Sequence, residues 1–316
     1  MFQSKKITEG ALLVAIYAVI LMVSIFVPFV FVIGLFILPV PFIYYTYRHG
    51  LQAGLGMLAV ALLISLIIIP PLAIPVTILA GLGGLMIGLA IQRKVSAYET
   101  WARGTIGFIV GFLFVFLFTQ FVLNINWTNE IDLIVEESIE ISEQFTEQVG
   151  LGGQSEEQMQ FLQEQLSMLK NLIPVTISIA AIIIAFITQW VGYRVINRID
   201  QQSFKFPPFR QLKLPTPLIW IYFVTIIVML FETNIESTLY IGSYNVYLIA
   251  GFFMALQGFS FIFFYAHHKW KSNVVPVASI ILALLFPFFV LYMIRILGII
   301  DIGFRLKERM SANKKK

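Results

Sequence analysis

Long stretches without a charged residue constrain the fold of this chain more than any other feature. Leu12 to Val27, Met57 to Ile69 and Thr105 to Leu123 contain no Asp, Glu, Lys or Arg. A bilayer core of about 30 Å needs roughly 20 apolar residues of helix to cross it. Only 12% of the residues are charged and 59% are hydrophobic, so a water-soluble surface is excluded. The sequence therefore predicts an all-α fold, a polytopic transmembrane helix bundle.

One long segment, Asn124 to Asn171, departs from this pattern because it is strongly acidic. It contains ten Asp and Glu residues against Lys170 alone, whereas the whole chain has a net charge of +4. The remaining basic residues fall in short loops between apolar segments, where they set orientation rather than bind nucleic acid. The pattern predicts a multi-pass protein of the bacterial cell membrane with a cytoplasmic N-terminus. Residues 129–169 are then extracellular.

The number of spans depends on how the last apolar run is interpreted. Nine spans would place the C-terminus outside, yet its basic residues are typical of the cytoplasmic side. Pro287 interrupts the last run and can kink it or turn it back as a re-entrant hairpin. Both alternatives stay open: nine spans, or eight plus a hairpin. The predicted spans cover 8–27, 29–47, 50–69, 72–92, 104–124, 172–195, 216–232, 243–266 and 274–299.

Pairs of glycines four residues apart predict close contacts between helices. Three pairs are each expected to lie on one face of a helix: Gly50 with Gly54, Gly84 with Gly88, and Gly107 with Gly111. Small residues let helix backbones approach where lipid provides no hydrophobic drive for association. We interpret these pairs chiefly as packing positions.

The acidic segment predicts an external helical hairpin over 125–171. In its first helix, Thr128 or Asn129 is the expected N-cap, and the apolar seam is formed by Ile131, Ile134, Ile141 and Phe145. Glycines at 150, 152 and 153 break the chain. A second helix follows, with a capping box from Ser155 and a seam of Met159, Leu162, Leu166, Leu169 and Ile173.

These features divide the chain into a series of expected regions. A six-span core covers 1–200 and is interrupted by the hairpin. A basic cytoplasmic linker, 201–215, leads to a C-terminal membrane unit at 216–300, and a basic tail, 301–316, follows.

Absent motifs argue against an enzyme and against a cofactor. The chain has no cysteine, no Gly-x-x-x-x-Gly-Lys-Ser/Thr phosphate loop and no His-Glu-x-x-His zinc motif. Ionisable residues within spans mark ion paths, and the nearest cases, Arg295 and Glu232, fall near predicted span ends. Ser260 has no histidine at matching depth, so we interpret it as bonding back within its own helix. We expect no catalytic, metal or cofactor site.

Uncharged polar residues offer the remaining candidates for a binding site. Gln120, Asn124, Asn126 and Trp127 gather at the end of the fifth span. They can form a small-molecule pocket that opens outward, although Trp127 is equally typical of an interfacial belt. Gln189 and Gln257 are expected to hydrogen-bond a neighbouring helix.

The opening residues Lys5-Lys6-Ile7-Thr8-Glu9-Gly10-Ala11-Leu12-Leu13-Val14-Ala15 and the later Tyr47-Arg48-His49-Gly50 resemble the substrate-binding components of energy-coupling-factor vitamin transporters. Over its whole length the chain more closely resembles the YybS family of uncharacterised bacterial membrane proteins, including the closing Leu297-Gly298-Ile299-Ile300-Asp301. The first resemblance implies that Ala11 and Ala15 dock onto a membrane coupling subunit. Those transporter components have six spans and no external hairpin. This chain differs from them because it has the acidic hairpin and a further membrane unit.

The leading hypothesis is a non-enzymatic, substrate-binding membrane component that takes up a small solute, powered by a separate ATPase. The alternative is a cell-envelope scaffold whose acidic hairpin contacts a protein partner. An enclosed pocket near Gln120 to Trp127 favours the first hypothesis. A filled core with an exposed apolar seam on the hairpin favours the second.

Overall fold

The computed structural model describes residues 2–27, 29–148, 168–272 and 274–313. Within these ranges the chain forms α-helices and two short 3-10 helices, with no strand, which confirms the all-α fold. Eight helices are long and apolar enough to cross a membrane, so the polytopic bundle is also confirmed. The chain divides into two compact units, Met1–Lys205 and Phe206–Lys316.

The described residues of the N-terminal unit form eight α-helices. Two of them, α2 and α3, are separated only at Leu38 and Pro39 and form one apolar stretch from Val30 to His49. The helices are α1 (Phe2–Phe26), α2 (Val30–Ile37), α3 (Val40–His49), α4 (Leu51–Ile68), α5 (Ala73–Gln92), α6 (Ala97–Phe121), α7 (Trp127–Gln148) and α8 (Ile173–Ile199). A 3-10 helix, Met168–Leu172, precedes α8.

Glycines on α5 bring it directly against the backbone of its neighbours. A Cβ added at Gly84 or Gly88 would lie 2.6 Å from the carbonyl oxygen of Pro39 or Ile43 on α3. On α6, a Cβ at Gly107 would lie 2.8 Å from the Leu82 carbonyl oxygen of α5. These contacts confirm the predicted packing role of both glycine pairs. Gly50 instead ends α3 with φ of 83°, a conformation that favours glycine, so it does not pair with Gly54 on a helix face.

Polar side chains inside the N-terminal unit are linked by neutral hydrogen bonds. The Tyr17 hydroxyl donates to Thr77 at 2.7 Å, and the Thr77 hydroxyl lies 2.9 Å from that of Ser65. Tyr17 also packs edge-on against Phe42, with ring centroids 5.0 Å apart. Gln189 donates to the Ala97 carbonyl of α6 at 2.9 Å, as expected for an amide between helices. Among the described residues of this unit, the buried polar side chains are uncharged.

The first helix of the acidic segment is confirmed, but its cap and its buried face differ from the prediction. The Asn126 side chain accepts from the Asn129 amide, because α7 begins at Trp127, so neither Thr128 nor Asn129 is the cap. Ile139 is buried, with Ile131 and Val135 half-buried on the same face, whereas Ile134 and Ile141 are each 60% exposed. The sequence contains two overlapping apolar stripes that share Ile131, and the buried one continues through Val135 and Ile139 rather than through Ile134 and Ile141. The predicted second helix of the hairpin, up to Leu166, lies outside the described residues.

The C-terminal unit contains the remaining five helices. They are α9 (Pro217–Phe231), α10 (Thr238–Lys269), α11 (Val274–Leu285), α12 (Pro287–Phe304) and α13 (Leu306–Asn313), after a short 3-10 helix, Phe209–Gln211. Of these, α10 and α12 are long enough to span, while α9 and α11 are shorter apolar helices. The predicted basic tail is therefore partly helical: Asp301 lies in α12, and α13 follows it.

The last apolar run is two helices rather than one. Phe286 leaves helical geometry and Pro287 starts α12, because proline lacks the amide that would continue α11. Arg295 therefore lies in the middle of α12, and its predicted position near a span end is wrong. A close crossing joins α12 to α10: a Cβ at Gly258 would overlap the Ile294 carbonyl oxygen, and one at Gly298 that of Met254.

Candidate functional site

The residues predicted to form an outward pocket lie at the end of α6 and the start of α7, and Gln120, Asn124 and Asn126 are exposed. Trp127 is half-buried, donates to the Thr119 hydroxyl at 2.9 Å and stacks on Phe116. Asn126 caps α7. The structure thus uses two of these residues to join α6 to α7.

A cavity that lies within the N-terminal unit is too small for a solute. Its volume is about 10 Å³, and apolar side chains such as Leu38, Leu79 and Phe108 line it. A single buried water needs about this much space. Neither it nor the two larger cavities, which lie in the C-terminal unit, is lined by Gln120, Asn124, Asn126 or Trp127.

The residues predicted to dock a partner lie on the surface of the N-terminal unit. Ala11 and Ala15 are both exposed on α1, and Leu12 beside them is 61% exposed. Val14 and Tyr17 face the interior, with exposures of 2% and 0%. This side of α1 is thus separate from the face that packs against the rest of its unit.

A cluster of buried polar and charged side chains lies in the C-terminal unit. We call it the polar junction: Gln257 and Ser260 of α10, Asp301 of α12 and Lys307 of α13. The Lys307 ammonium lies 3.3 Å from the Asp301 carboxylate and donates to the Ser260 hydroxyl at 2.7 Å. Gln257 donates at 2.6 Å to Asp301 Oδ2, the same carboxylate oxygen that lies nearest to Lys307. The side chains of Lys307 and Asp301 are only 7% and 2% exposed.

The polar junction also holds the segment that precedes α9. Lys307 donates to the Leu212 carbonyl at 2.9 Å, and Ser260 donates to the Phe209 carbonyl at 2.7 Å. The Leu214 amide donates to the Gln257 side chain at 3.2 Å. The expectation that Gln257 bonds a neighbouring helix is confirmed, whereas Ser260 does not bond back within its own helix. Its hydroxyl instead donates to a backbone carbonyl of the incoming segment.

Two cavities adjoin the polar junction. Their volumes are about 320 and 500 Å³, within the range of small-molecule sites. Lys213, Lys307 and Glu308 line both cavities. Thr216, Asp301 and Arg305 also line the smaller cavity, and Arg210, Phe264 and Ser311 line the larger one. Together the walls carry more cationic than anionic side chains.

Electrostatics in this region follow from burial and from one exposed ion pair. Burial lowers the pKa of the Lys307 ammonium from its usual range, and the nearby Asp301 carboxylate offsets this only in part. At the cavity rim, Lys213 donates to Glu308 at 2.8 Å, and this hydrogen bond lowers the pKa of the Glu308 carboxyl. Among the described residues, no group of three or more His, Asp or Glu side chains is placed to hold a metal ion.

Sequence reasoning missed the polar junction because it assigned Lys307 to a basic tail and interpreted Gln257 and Ser260 separately. A usable signal was present. Gln257 and Ser260 are three residues apart in an apolar helix and therefore share a face. Asp301 is an acid within a strongly apolar stretch, so it requires a partner.

Comparison with known proteins gives a family for the whole chain. Residues 15–302 match the model of a family described as "Predicted membrane protein (DUF2232)". The chain belongs to the DUF2232 family. It is also 31% identical over 310 residues to the "Uncharacterized protein YybS" of Bacillus subtilis (strain 168). This alignment covers 98% of the chain and 100% of the relative. The resemblance to the YybS family is thereby confirmed, and no solved structure matches the chain.

Proposed function

We propose that this chain is a non-enzymatic, ligand-binding component of the bacterial cell membrane. Its site is formed by the two cavities of the C-terminal unit, and its ligand is an anionic small molecule. The observation that carries this proposal is the composition of the cavity walls. Four cationic side chains line them, with two acidic ones: Arg210, Lys213, Arg305 and Lys307, against Asp301 and Glu308.

The charges in these walls are not equally available to a ligand. Lys307 is held by Asp301, Ser260 and the Leu212 carbonyl. Arg305 is exposed and Arg210 half-exposed, and both face the cavities as long, mobile side chains. Two unit charges 4 Å apart attract by about 4 kcal/mol at the effective dielectric constant of about 20 that applies near a protein surface. An anion at these cavities therefore gains more from Arg210 and Arg305 than from the junction itself.

The N-terminal unit differs from the C-terminal unit in the size of its described cavity. The cavity described in that unit, about 10 Å³, is too small for a solute, and Gln120 lines none of the cavities described, so we place the ligand in the C-terminal unit. In this proposal the N-terminal unit provides the surface for a membrane coupling subunit and its ATPase. Exposed Ala11 and Ala15 support that role.

Native mass spectrometry of the full chain tests the ligand site. We expect the parent to retain an anionic small molecule and the Arg210→Gln Arg305→Gln variant to lose it. A matched control, Lys269→Gln with Arg309→Gln, removes two exposed cations of the same unit that line neither cavity, and it should retain the ligand. Equal retention in all three proteins would place the ligand elsewhere. A ligand-free parent that also shows no thermal shift with inorganic phosphate or citrate would refute the proposal.

A second candidate function is that of a cell-envelope scaffold acting through α7. The exposed surface of α7 combines apolar Leu133, Ile134 and Ile141 with acidic Glu136 and Glu137. A partner for this surface would be a protein with basic residues beside an apolar ridge. Reversing Glu136 and Glu137 to Lys should abolish crosslinking of such a partner in whole cells. Unchanged crosslinking would exclude α7 as its contact.

Both candidates assume a cytoplasmic N-terminus and an extracellular segment at 129–169. The chain has no native cysteine, so a Ser155→Cys variant has one site for a membrane-impermeant maleimide. We expect labelling in intact cells. Labelling only after lysis would reverse the orientation.

A further inference from the structure

Arg295 is a charged residue in the middle of an apolar helix. Within α12, Pro287–Phe304, the one other charged side chain is Asp301, which belongs to the polar junction. Placing an arginine at the centre of a membrane helix is strongly disfavoured. Intramembrane arginines therefore face a partner, a cavity or a ligand.

The guanidinium of Arg295 lies in a defined environment. A Cβ added at Gly251 would lie 3.2 Å from the Arg295 Cζ atom, so the group packs directly on α10. Tyr222 of α9, which is 5% exposed, stacks on Tyr247 of α10 with ring centroids 5.0 Å apart. Tyr247 lies one helical turn before Gly251 on α10, so the stacked tyrosines lie next to the Arg295 guanidinium. Side chains from three helices thus meet at one point.

This environment does not satisfy the arginine. The Nε atom of Arg295 is buried and has no hydrogen-bond partner. Of the ion pairs formed by described residues, none includes Arg295, and Asp301 is engaged by Lys307 and Gln257. A guanidinium presents five N–H donors, whereas a tyrosine hydroxyl is a single neutral acceptor. The unmet Nε donor and the uncompensated charge indicate an anion.

We propose that Arg295, Tyr222 and Tyr247 bind the oxyanion headgroup of a membrane amphiphile, a carboxylate or phosphate that carries an acyl chain. The planar guanidinium matches such a group with two parallel hydrogen bonds. The surroundings favour an amphiphile over a free ion, since Tyr292 and Ile296 beside Arg295 are 53% and 37% exposed and offer an apolar path for a chain. Arg295 lines neither of the two larger cavities, so this site is independent of the proposed small-molecule site.

The test uses the full chain in nanodiscs of phosphatidylcholine, either alone or doped with oleate or with phosphatidic acid. Native mass spectrometry measures the occupancy of each anion. We expect the parent to bind at least one of the two about tenfold more tightly than Arg295→Gln does, because a lost charge-assisted hydrogen bond has roughly that effect. The preferred dopant then identifies the headgroup as carboxylate or phosphate. Arg309→Gln removes an exposed cation of the same unit and should bind like the parent.

Further variants separate binding from structure. Arg295→Lys keeps the positive charge but loses the planar guanidinium that can form two parallel hydrogen bonds. Its affinity for the anion should therefore fall between those of the parent and Arg295→Gln. Tyr222→Phe keeps the ring stack and should weaken binding several-fold. A purely structural arginine would lower the melting temperature of Arg295→Gln while leaving the melting shift caused by the anion unchanged, and that result overturns the proposal. Should Arg295→Gln fail to fold, unchanged affinity in both Arg295→Lys and Tyr222→Phe overturns it equally.

Discussion

The two units of this membrane protein bury polar groups in different ways. In the N-terminal unit the buried polar groups include neutral hydroxyls that bond one another, as in the series Tyr17, Thr77 and Ser65. In the C-terminal unit they include an ion pair, Lys307 with Asp301, and an unsatisfied arginine. Among the described residues, the buried atoms of the N-terminal unit that lack a hydrogen-bond partner, such as the Thr46 and Thr188 hydroxyls, are neutral, whereas the one in the C-terminal unit belongs to a guanidinium. Buried charge stabilises a fold poorly, so its presence points to a role beyond packing.

The N-terminal unit also contains charged residues, among them an ion pair between α1 and α3. Arg48 of α3 donates to Glu9 of α1 at 2.6 Å, and His49 lies 2.9 Å from the same carboxylate. The Arg48 and Glu9 side chains are 42% and 23% exposed, against 7% and 2% for Lys307 and Asp301. Solvent thus reaches the first pair and not the second. The contrast between the units concerns the depth of the charges rather than their number.

The largest expected effect comes from breaking the buried pair. Lys307→Met leaves the Asp301 carboxylate buried and without its cation, and should lower the free energy of unfolding by about 3 to 5 kcal/mol. Thermal unfolding in a fixed detergent measures this. The double variant Lys307→Met Asp301→Leu should recover much of the loss, since it removes both charges.

Arg48→Met is the matched change in the N-terminal unit. It breaks an ion pair that solvent partly screens, so the loss should stay within about 1 kcal/mol. Equal losses for Arg48→Met and Lys307→Met would mean that the depth of the charge does not distinguish the units.

A second prediction concerns the crossing of α10 and α12. Gly258→Ala places a Cβ into the Ile294 carbonyl oxygen, and the required backbone shift should cost about 1 to 3 kcal/mol. Gly242→Ala, in the same helix, meets no atom within 4 Å and should be neutral or slightly stabilising. Equal stability of the two variants would show that the helices do not approach this closely.

Much of the fold could be predicted from the sequence, because span length and charge exclusion follow directly from the bilayer. The predicted 50–69 and 72–92 correspond to Leu51–Ile68 and Ala73–Gln92. The predicted start of α6, residue 104, was seven residues too late. The helix begins at Ala97, before the apolar run, because the Ser96 side chain accepts from the Glu99 amide at 3.2 Å and caps it. The sequence predicted a break at Pro287. It did not predict that a new helix begins there and that Arg295 lies in the middle of that helix.

The candidate site could not be predicted in the same way. Its members come from three helices and a connecting segment, and their proximity depends on tertiary packing that no local period encodes. Gln120 and Asn124 looked like a site because they are neighbours in sequence, yet both are exposed. Lys307 looked like surface because it lies among other basic residues, yet it is buried beside Asp301.

A smaller effect is expected from the neutral network of the N-terminal unit. Tyr17→Phe removes one buried hydroxyl, and Thr77 keeps its bond to the Ala73 carbonyl at 2.7 Å. The net contribution of such a hydrogen bond is about 0.5 to 1.5 kcal/mol. Thermal unfolding should show a loss in that range, well below that of Lys307→Met. A loss of 3 kcal/mol or more would mean that neutral and charged networks are equally critical.

The smallest effect on stability, and the sharpest test of the division between units, is expected on α1. Ala11 and Ala15 are exposed, and a leucine side chain is favourable in contact with lipid. The free energy of unfolding of Ala11→Leu Ala15→Leu should therefore lie within about 0.5 kcal/mol of that of the parent. If a coupling subunit docks on this face, the bulkier side chains prevent its close approach and the subunit should no longer co-purify. Gly56→Ala, at an open position on α4, is the control and should keep every partner. A stable double variant that still co-purifies with all partners of the parent would remove the docking face from the proposal. The scaffold function of α7 would then be the better account of how this protein acts.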